Sequence, residues 1–253
     1  MRFRSIAVAA ACMFAQSAHA ADIRVYSGGA PQEVLRLLAP EFEKQSGHSV
    51  AFTFALVTEI QRKLAAGESA DVVLLPEPLL AATEKNVPMR SDGRSTVARV
   101  GIALIARPDG KRPDISTADA VRKTLLDARR IALPQASVPS GRHLMHTFAE
   151  LGIAEAINPK LLFKAAIDGG AGLVATGEAD VGLYLISEVR KAKDVVVVGL
   201  LPPPFQSFVV YGAALPLNST VPDAGLAFVR FISDPAQRQR WADAGFELVS
   251  GGR

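Results

Sequence analysis

The chain has 253 residues, of which 49% are hydrophobic and 21% are charged, and 28 Lys and Arg stand against 25 Asp and Glu. This near balance, without a clustered basic surplus, argues against a nucleic-acid partner. The length is sufficient for one large domain or for two lobes that each bury a core of ordinary size.

The first 20 residues have the pattern of a cleavable signal peptide. Arginines at positions 2 and 4 precede an apolar run over residues 6–14, and Ala18-His19-Ala20 supplies the small-x-small pattern of a cleavage site. The run is shorter than the roughly 20 apolar residues of a membrane-spanning helix. We therefore expect cleavage after Ala20, export to the periplasm and no membrane span in the mature chain.

The only cysteine, Cys12, lies inside this N-terminal segment. The three alanines before it leave a lipid anchor open as an alternative, although the apolar run ahead of Cys12 is very short and a better cleavage site follows. Cleavage after Ala20 removes the only thiol, so the mature chain has to draw its stability from a hydrophobic core rather than from disulfides.

From residue 21 onwards, apolar strand patterns alternate with segments of helical period. The first unit has strands and helices predicted over residues 23–27, 31–45, 50–55, 58–67, 71–75 and 76–82. After a longer strand over residues 99–107, the second unit is predicted over residues 131–133, 140–151, 161–166, 170–176 and 180–184. The chain closes with two strands and two helices, over residues 195–198, 208–214, 223–232 and 235–244. This alternation is typical of an α/β fold in which helices flank a mostly parallel sheet.

Two such units joined by long strands predict two lobes with a cleft between them. The predicted boundaries are 1–20 for the signal peptide, 21–101 plus 214–253 for the first lobe and 102–213 for the second lobe, with crossover strands near 99–107 and 208–215. A single larger doubly wound sheet would produce much the same pattern and stays open as an alternative.

Several short motifs occur in a fixed order along the mature chain. They are Phe42–Gly47, Ala66–Val72, Val138–Arg142, Thr176–Gly182, Phe231–Gln237 and Ala244–Phe246. In this order and spacing the chain resembles the periplasmic molybdate-binding proteins, which are the solute receptors of ABC importers. The resemblance implies a two-lobed periplasmic-binding fold, a tetrahedral oxyanion such as molybdate or tungstate in the cleft, and an ABC permease subunit as partner. It implies a monomer that needs no cofactor.

The resemblance places half of the ligand site on two segments of the first lobe, Ser27-Gly28-Gly29-Ala30 and Val57-Thr58. In the family, side-chain hydroxyls stand at the positions matched by Ala30 and Val57, and this chain has none there. Ser27 and Thr58 are the neighbouring residues available to substitute, Ser27 through its hydroxyl and Thr58 through its side chain or its backbone amide. Their alternative roles are purely structural: a tight turn between strand and helix at the first segment, and an N-cap at Thr58.

The other half of the expected site lies in the second lobe, at Ser140-Gly141, Ile167-Asp168 and Leu185. The first two segments are expected to donate backbone N–H groups, because unpaired amides at a helix start attract anions. Asp168 would repel a bound dianion if it faced the cleft, and as a helix N-cap it would not. Leu185 stands where the family has a tyrosine hydroxyl.

The missing hydroxyls leave the ligand open. A small organic anion would suit an apolar cleft, with a carboxylate on the backbone amides and its carbon body against Val57 and Leu185. An enzyme on the same fold is a less favoured alternative, because the sequence presents no convergent set of acid, base and nucleophile. A sensor that docks on a signalling receptor uses the same binding event, so the sequence does not separate it from an importer. His143 and His146 share a helix face but have no third metal ligand nearby, which favours a solvated surface.

Overall fold

The computed structural model describes residues 20–110, 112–203 and 205–249; the predicted signal peptide up to residue 19 lies outside them. The strands are β1 (Asp22–Ser27), β2 (Ser49–Phe54), β3 (Val72–Pro76), β4 (Ser95–Ala106), β5 (Ile131–Leu133), β6 (Leu161–Phe163), β7 (Val181–Leu185), β8 (Val196–Leu200), β9 (Phe208–Ala214) and β10 (Phe246–Leu248). The helices are α1 (Gln32–Ser46), α2 (Val57–Ala65), α3 (Glu77–Glu84), α4 (Ala118–Asp127), α5 (Pro139–Glu150), α6 (Ala154–Ile157), α7 (Gly170–Ala175), α8 (Ile186–Val189), α9 (Pro222–Ser233) and α10 (Arg238–Asp243). None of the helices in these ranges is both long and apolar enough to cross a membrane.

The strands follow the order β2-β1-β3-β9-β4-β7-β5-β6, with β8 and β10 also paired to β4. Strands β1, β2 and β3 run parallel, whereas β9 is antiparallel to both of its neighbours. The long strand β4 pairs with β9 up to Gly101 and with β7 from Ile102 onwards, so two sets of strands meet where β4 changes partners. The predicted two-lobed α/β fold is confirmed.

The chain returns to the first set of strands just before β9. Gln206 fixes this return against β4: its side-chain Oε1 accepts a hydrogen bond from the Ile102 N–H (2.8 Å), and its Nε2 donates to the Ile102 carbonyl (3.0 Å). The whole of β9 pairs with β3 and β4 of the first set, and the predicted lobe boundary at residues 213 and 214, which stays a prediction, falls at the end of this strand. The two crossings between the lobes are therefore clamped side by side at Ile102.

The C-terminal helices pack on the first lobe. Asp71, fully buried at the start of β3, holds them there, because its carboxylate pairs with Arg24 and accepts hydrogen bonds from the Ser219 hydroxyl and the Thr220 N–H. The pKa of Asp71 lies below its usual range: burial opposes ionisation, but the hydrogen bonds from Arg24, Ser219 and Thr220 outweigh it. Trp241 is fully buried on α10 and donates from Nε1 to the carbonyl of Ile232 (2.8 Å).

Candidate functional site

A narrow cavity lies between the two lobes, at the carboxyl ends of β1, β3, β5 and β7. In α/β folds the crevice beyond these strand ends is the usual ligand site, because the chain leaves each strand there in a loop. The residues that line it are Gly29, Ala55, Leu56, Val57, Pro76, Pro134, Gln135, Val138, Pro139, Ser140, Ala165, Ala166, Ile167, Leu185, Glu188, Val209 and Tyr211. Its volume is about 60 Å³. One water molecule needs about 10–15 Å³ on the same measure, so the cavity has room for a group of only a few atoms.

Two helices begin at this cavity with free backbone donors. In α2 the first bonded amides are those of Glu59 and Ile60, so the N–H groups of Val57 and Thr58 precede the helical ladder. In α5 the ladder begins with the bond from the Arg142 N–H to Val138, which leaves the amides of Ser140 and Gly141 ahead of it. Such amides, with the helix dipole behind them, stabilise an anion without a full positive charge.

In the turn before α7 the Ile167 amide has no hydrogen bond to another described residue, whereas the Asp168 amide, which was expected to donate to the ligand, is already bonded. The amides of Asp168 and Gly169 donate to the carbonyls of Ala165 and Ala166, whereas Ile167 stands within the turn and lines the cavity. Asp168 is exposed and is not one of the lining residues, and α7 begins after Gly169, so its carboxylate neither caps the helix nor faces the cavity. Asp168 is therefore not placed to repel an anion in the cavity.

The predicted hydroxyl substitutes do not reach the cavity. Ser27 is fully buried and its hydroxyl donates to the carbonyl of Gly28 (3.0 Å). Thr58 is exposed and lies outside the lining; the expected N-cap at Thr58 is wrong, because α2 begins one residue earlier and its N-cap position is Leu56. Ala30 packs into the hydrophobic core at 2% exposure, so a hydroxyl there would not face this ligand either.

The side chains at the remaining family positions give the cavity apolar walls. Val57 and Leu185 both line it and are 8% and 4% exposed. Val209 lies beside them on β9. This surface favours the carbon body of a ligand over the oxygens of a compact dianion, because burial of polar oxygens without hydrogen bonds is costly.

The glycines of the site make room for protein rather than for ligand. A Cβ at Gly28 would lie 2.9 Å from Cγ1 of Val57, and one at Gly29 would lie 3.2 Å from Cβ of Ile167. A Cβ at Gly141 would lie only 2.0 Å from the carbonyl oxygen of Gln135. Gly28 and Gly29 therefore let the walls of the cleft close on each other.

Glu188 is a site residue that the sequence does not reveal. It stands in the first turn of α8 and is the one charged side chain among the described residues that line the cavity. Burial raises the pKa of Glu188 to about 7, although a hydrogen bond from the Leu185 N–H lowers it in part. A carboxyl group in this state exchanges its proton near neutral pH.

Tyr211 is the second residue that sequence reasoning missed. It lies on β9 at 3% exposure and lines the cavity, and no hydrogen bond of its hydroxyl occurs within the described ranges. Burial, and secondarily the charge of Glu188, raises the pKa of Tyr211 and keeps its hydroxyl neutral. Ser140 likewise lines the cavity at 7% exposure, and its hydroxyl has no hydrogen bond to another described residue. Both hydroxyls are therefore free to bind a ligand.

Direct contacts join the lobes around the cavity. Lys191 of the second lobe pairs with Glu33 on α1 of the first lobe (Nζ to Oε1, 2.5 Å). Arg190 donates from Nη1 to the carbonyl of Ala242 on α10 (3.2 Å). Together with the packing of Gly29 against Ile167, these contacts describe a closed cleft.

The histidine pair on α5 has partners of its own. His143 Nε2 lies 2.8 Å from the carbonyl oxygen of Phe205, and His146 pairs with Glu150 one turn later. Within the described ranges no three metal-ligating side chains of His, Cys, Asp or Glu cluster together.

The chain is similar in sequence both to solute-binding proteins and to a protein named as an enzyme. A family model described as bacterial extracellular solute-binding protein matches residues 23–247. Aconitate isomerase of a Pseudomonas species is 28% identical over 233 residues, covering 90% of this chain and 88% of that protein. Molybdate-binding protein of Escherichia coli (strain K12) is 24% identical over 233 residues, covering 89% of each. The periplasmic molybdate-binding protein of Azotobacter vinelandii has the same fold, with a TM-score of 0.74 at 17% identity over 90% of this chain and 99% of that one. The resemblance to molybdate-binding proteins is confirmed.

Proposed function

Because the chain belongs to the family of bacterial extracellular solute-binding proteins, we propose that it is a periplasmic receptor that captures a small organic carboxylate and delivers it to an ABC permease. A carboxylate on the free amides of α2 and α5 leaves the ligand's carbon body against Val57 and Leu185. The observation that carries this proposal is Glu188: an acid with a pKa of about 7 lines the same cavity as the anion-binding amides.

Glu188 favours a carboxylate over a compact oxyanion. When protonated, the carboxyl group donates a hydrogen bond to a ligand oxygen; when ionised, it repels a dianion such as molybdate. A carboxylate carries less charge per group than molybdate, and it turns only two oxygens towards the protein. The cost of the buried acid is therefore smaller for an organic acid than for a tetrahedral dianion.

The apolar side chains argue in the same direction. Each hydrogen bond to a charged ligand contributes about 1.5–3 kcal/mol. The side chains at Ala30, Val57 and Leu185 supply none, so a tetrahedral oxyanion would leave some of its oxygens unpaired against carbon. An organic acid has fewer oxygens to satisfy and buries carbon against these residues, which is favourable at roughly 25 cal/mol per Å².

Calorimetric titration of the purified mature chain tests the proposal. The panel consists of molybdate, tungstate, sulfate and a series of mono-, di- and tricarboxylates, all at one pH and ionic strength. We expect at least one carboxylate to bind at least tenfold more tightly than molybdate. Tight molybdate binding without carboxylate binding would reject the proposal in favour of an oxyanion importer.

A second candidate function is isomerisation of an unsaturated tricarboxylate, which the similarity to aconitate isomerase and the state of Glu188 favour. In its ionised form Glu188 could accept a proton from a ligand methylene beside the double bond. Return of that proton to the vinylic carbon, as the double bond shifts by one position, would give the isomer with no net gain or loss of atoms. The neutral hydroxyl of Tyr211 is then the hydrogen-bond donor for the charge that develops on the carboxylate.

The enzyme candidate has its own experiment. Purified protein is incubated with cis-aconitate and with trans-aconitate, and the proton NMR spectrum is followed in heavy water. Isomerisation by the natural chain, lost in Glu188→Gln and accompanied by deuterium uptake at carbon, supports catalysis. If the spectra stay unchanged over a day at micromolar protein, in samples that still bind carboxylate, the isomerase function is rejected and only the receptor function remains.

A further inference from the structure

A second, wider pocket adjoins the narrow cavity. This outer pocket is lined by Gly29, Gln32, Glu33, Arg36, Ala166, Ile167, Ser187 and Glu188, and has a volume of about 500 Å³ against about 60 Å³ for the cavity. Four residues line both spaces: Gly29, Ala166, Ile167 and Glu188. A ligand larger than a carboxylate and one or two carbons must therefore continue past Glu188 into the outer pocket.

Arg36 is the cation of this outer pocket. It stands one turn into α1, and its guanidinium lies over the ring of Phe54 at 5.3 Å from the centroid. The ion pairs found among the described residues give it no carboxylate partner, whereas nearby Glu33 is paired with Lys191. A guanidinium held against an aromatic ring keeps its N–H edge free for a planar, bidentate partner such as a carboxylate.

A second polar group in the same pocket also lacks a partner. Ser187 is 6% exposed, and its Oγ is buried without a hydrogen bond in the part of the chain that the structure describes. A buried hydroxyl in this state costs free energy unless something in the pocket pairs with it. A rotation of the Ser187 side chain that turns this hydroxyl into the pocket would give it an acceptor in the anionic oxygens that Arg36 attracts.

We infer that the outer pocket is a second anion subsite, in which Arg36 and Ser187 bind a further carboxylate of a short-chain di- or tricarboxylate whose first carboxylate sits on the amides of α2 and α5. The inference rests on the proposed carboxylate receptor and names its ligand class. Arg36 is then a specificity-determining residue: it selects polycarboxylates over monocarboxylates of the same chain length.

The test compares propane-1,2,3-tricarboxylate, glutarate and butyrate by calorimetric titration, so that the probes differ mainly in the number of carboxylates. The natural chain is expected to bind the first two at least tenfold more tightly than butyrate. Arg36→Gln is expected to weaken them by about tenfold and to change butyrate binding by less than twofold. Arg62→Gln removes the same charge from a residue that lines neither pocket and is expected to leave all three affinities unchanged.

The outcomes separate the subsite from the receptor. If polycarboxylates bind tightly and Arg36→Gln leaves them unchanged, the subsite is wrong and the receptor function stands. If all three probes weaken equally in Arg36→Gln, the residue acts on the whole cleft and the subsite is again wrong. If the natural chain binds none of the probes, the subsite is rejected, and the carboxylate receptor is decided by the wider titration panel. Arg36→Lys, which keeps the charge but not the planar fork, is expected to restore affinity only in part.

Discussion

The N-termini of α2 and α5, on the two sides of the cleft, both offer unpaired backbone N–H groups to a ligand. The side chains around these two N-termini differ. On the first lobe, α2 begins at Val57 after the N-cap residue Leu56, and Val57 packs against Gly28. On the second lobe, α5 begins with Pro139 and Ser140, and Gly141 brings its first turn against the Gln135 carbonyl. The N-terminus of α2 therefore presents only apolar side chains to the cavity, whereas that of α5 is fixed by close packing and carries the buried hydroxyl of Ser140.

The remaining side chains extend this difference. Glu188, the ionisable group of the cavity, belongs to the second lobe, as does Ser140, whereas the first lobe adds the neutral hydroxyl of Tyr211. An anion on the amides therefore touches carbon on one side and an acid on the other. We infer that the backbone amides of both lobes supply affinity for an anion, and that Glu188 of the second lobe disfavours a compact dianion at the cavity.

The rigid start of α5 gives the largest expected effect. In Gly141→Ala the new Cβ would lie 2.0 Å from a backbone oxygen, so α5 must shift and the unfolding free energy should fall by about 3 kcal/mol or more. Gly172→Ala is the matched control, because Gly172 is also helical and nothing lies within 4 Å of its added Cβ. That control should gain up to about 1 kcal/mol. Urea denaturation measures both, and equal effects would contradict the packing role of Gly141.

The acid on the second lobe gives the next largest effect. The folded-state pKa of Glu188, about 7, lies above the unfolded value of about 4.3, so the folded chain binds more protons in between. Stability due to this group is present below about pH 4.3 and is lost as the pH rises to 7. The Glu188→Gln variant has no ionisable group at this position, so its unfolding free energy does not fall in this way as the pH rises. From pH 5 to pH 8 it should gain about 2–3 kcal/mol relative to the natural chain, as measured by urea denaturation at both pH values.

An exposed glutamate provides the control for that experiment. Glu155 lies on α6 and is exposed, so Glu155→Gln should track the natural chain at both pH values. A Glu188→Gln profile parallel to the natural one would mean that Glu188 ionises as freely in the fold as in the unfolded chain.

The sequence predicted the fold better than the site. Alternation of strand and helix patterns is local, and it was sufficient for the two α/β units. Two of the expected site residues, Val57 and Ser140, do line the cavity, because a helix start follows from local signals, and their role in ligand binding stays a prediction. Ser27 was not, because a shift of one residue along a strand moves a side chain to the opposite face.

Tyr211 and Glu188 escaped prediction for a topological reason. Tyr211 reaches the cavity because β9 inserts antiparallel between β3 and β4, and no local pattern specifies that insertion. Glu188 follows a buried strand and is the third residue of a helix of only four residues. A lone acid just after a strand end was the available signal, and the same signal marks many ordinary helix starts.

The apolar start of α2 predicts a gain of oxyanion binding when it is made polar. Val57→Ser places a hydroxyl on the cavity wall and should raise molybdate affinity by about tenfold, in line with one hydrogen bond to a charged ligand. Ala30→Ser is the control, because Ala30 packs in the core and lies outside the cavity lining. It should leave molybdate affinity unchanged. Calorimetric titration decides between the two positions, and an equal gain at Ala30 would mean that the cavity wall has been misassigned.

The contact that holds the two sides together gives the smallest expected effect. Lys191 and Glu33 pair across the cleft, but the side chain of Lys191 is 72% exposed, and exposed ion pairs contribute about 0–1 kcal/mol. Lys191→Gln should therefore speed ligand release by only about two- to threefold, and the increase should vanish at 1 M salt, where charges are screened within about 3 Å. Lys123→Gln breaks an exposed pair with Asp127 within α4 and should not change release. Stopped-flow displacement of a bound carboxylate measures the rates. If both variants release ligand at the natural rate, closure depends on the ligand and on the packing of Gly29 against Ile167, without help from the ion pair.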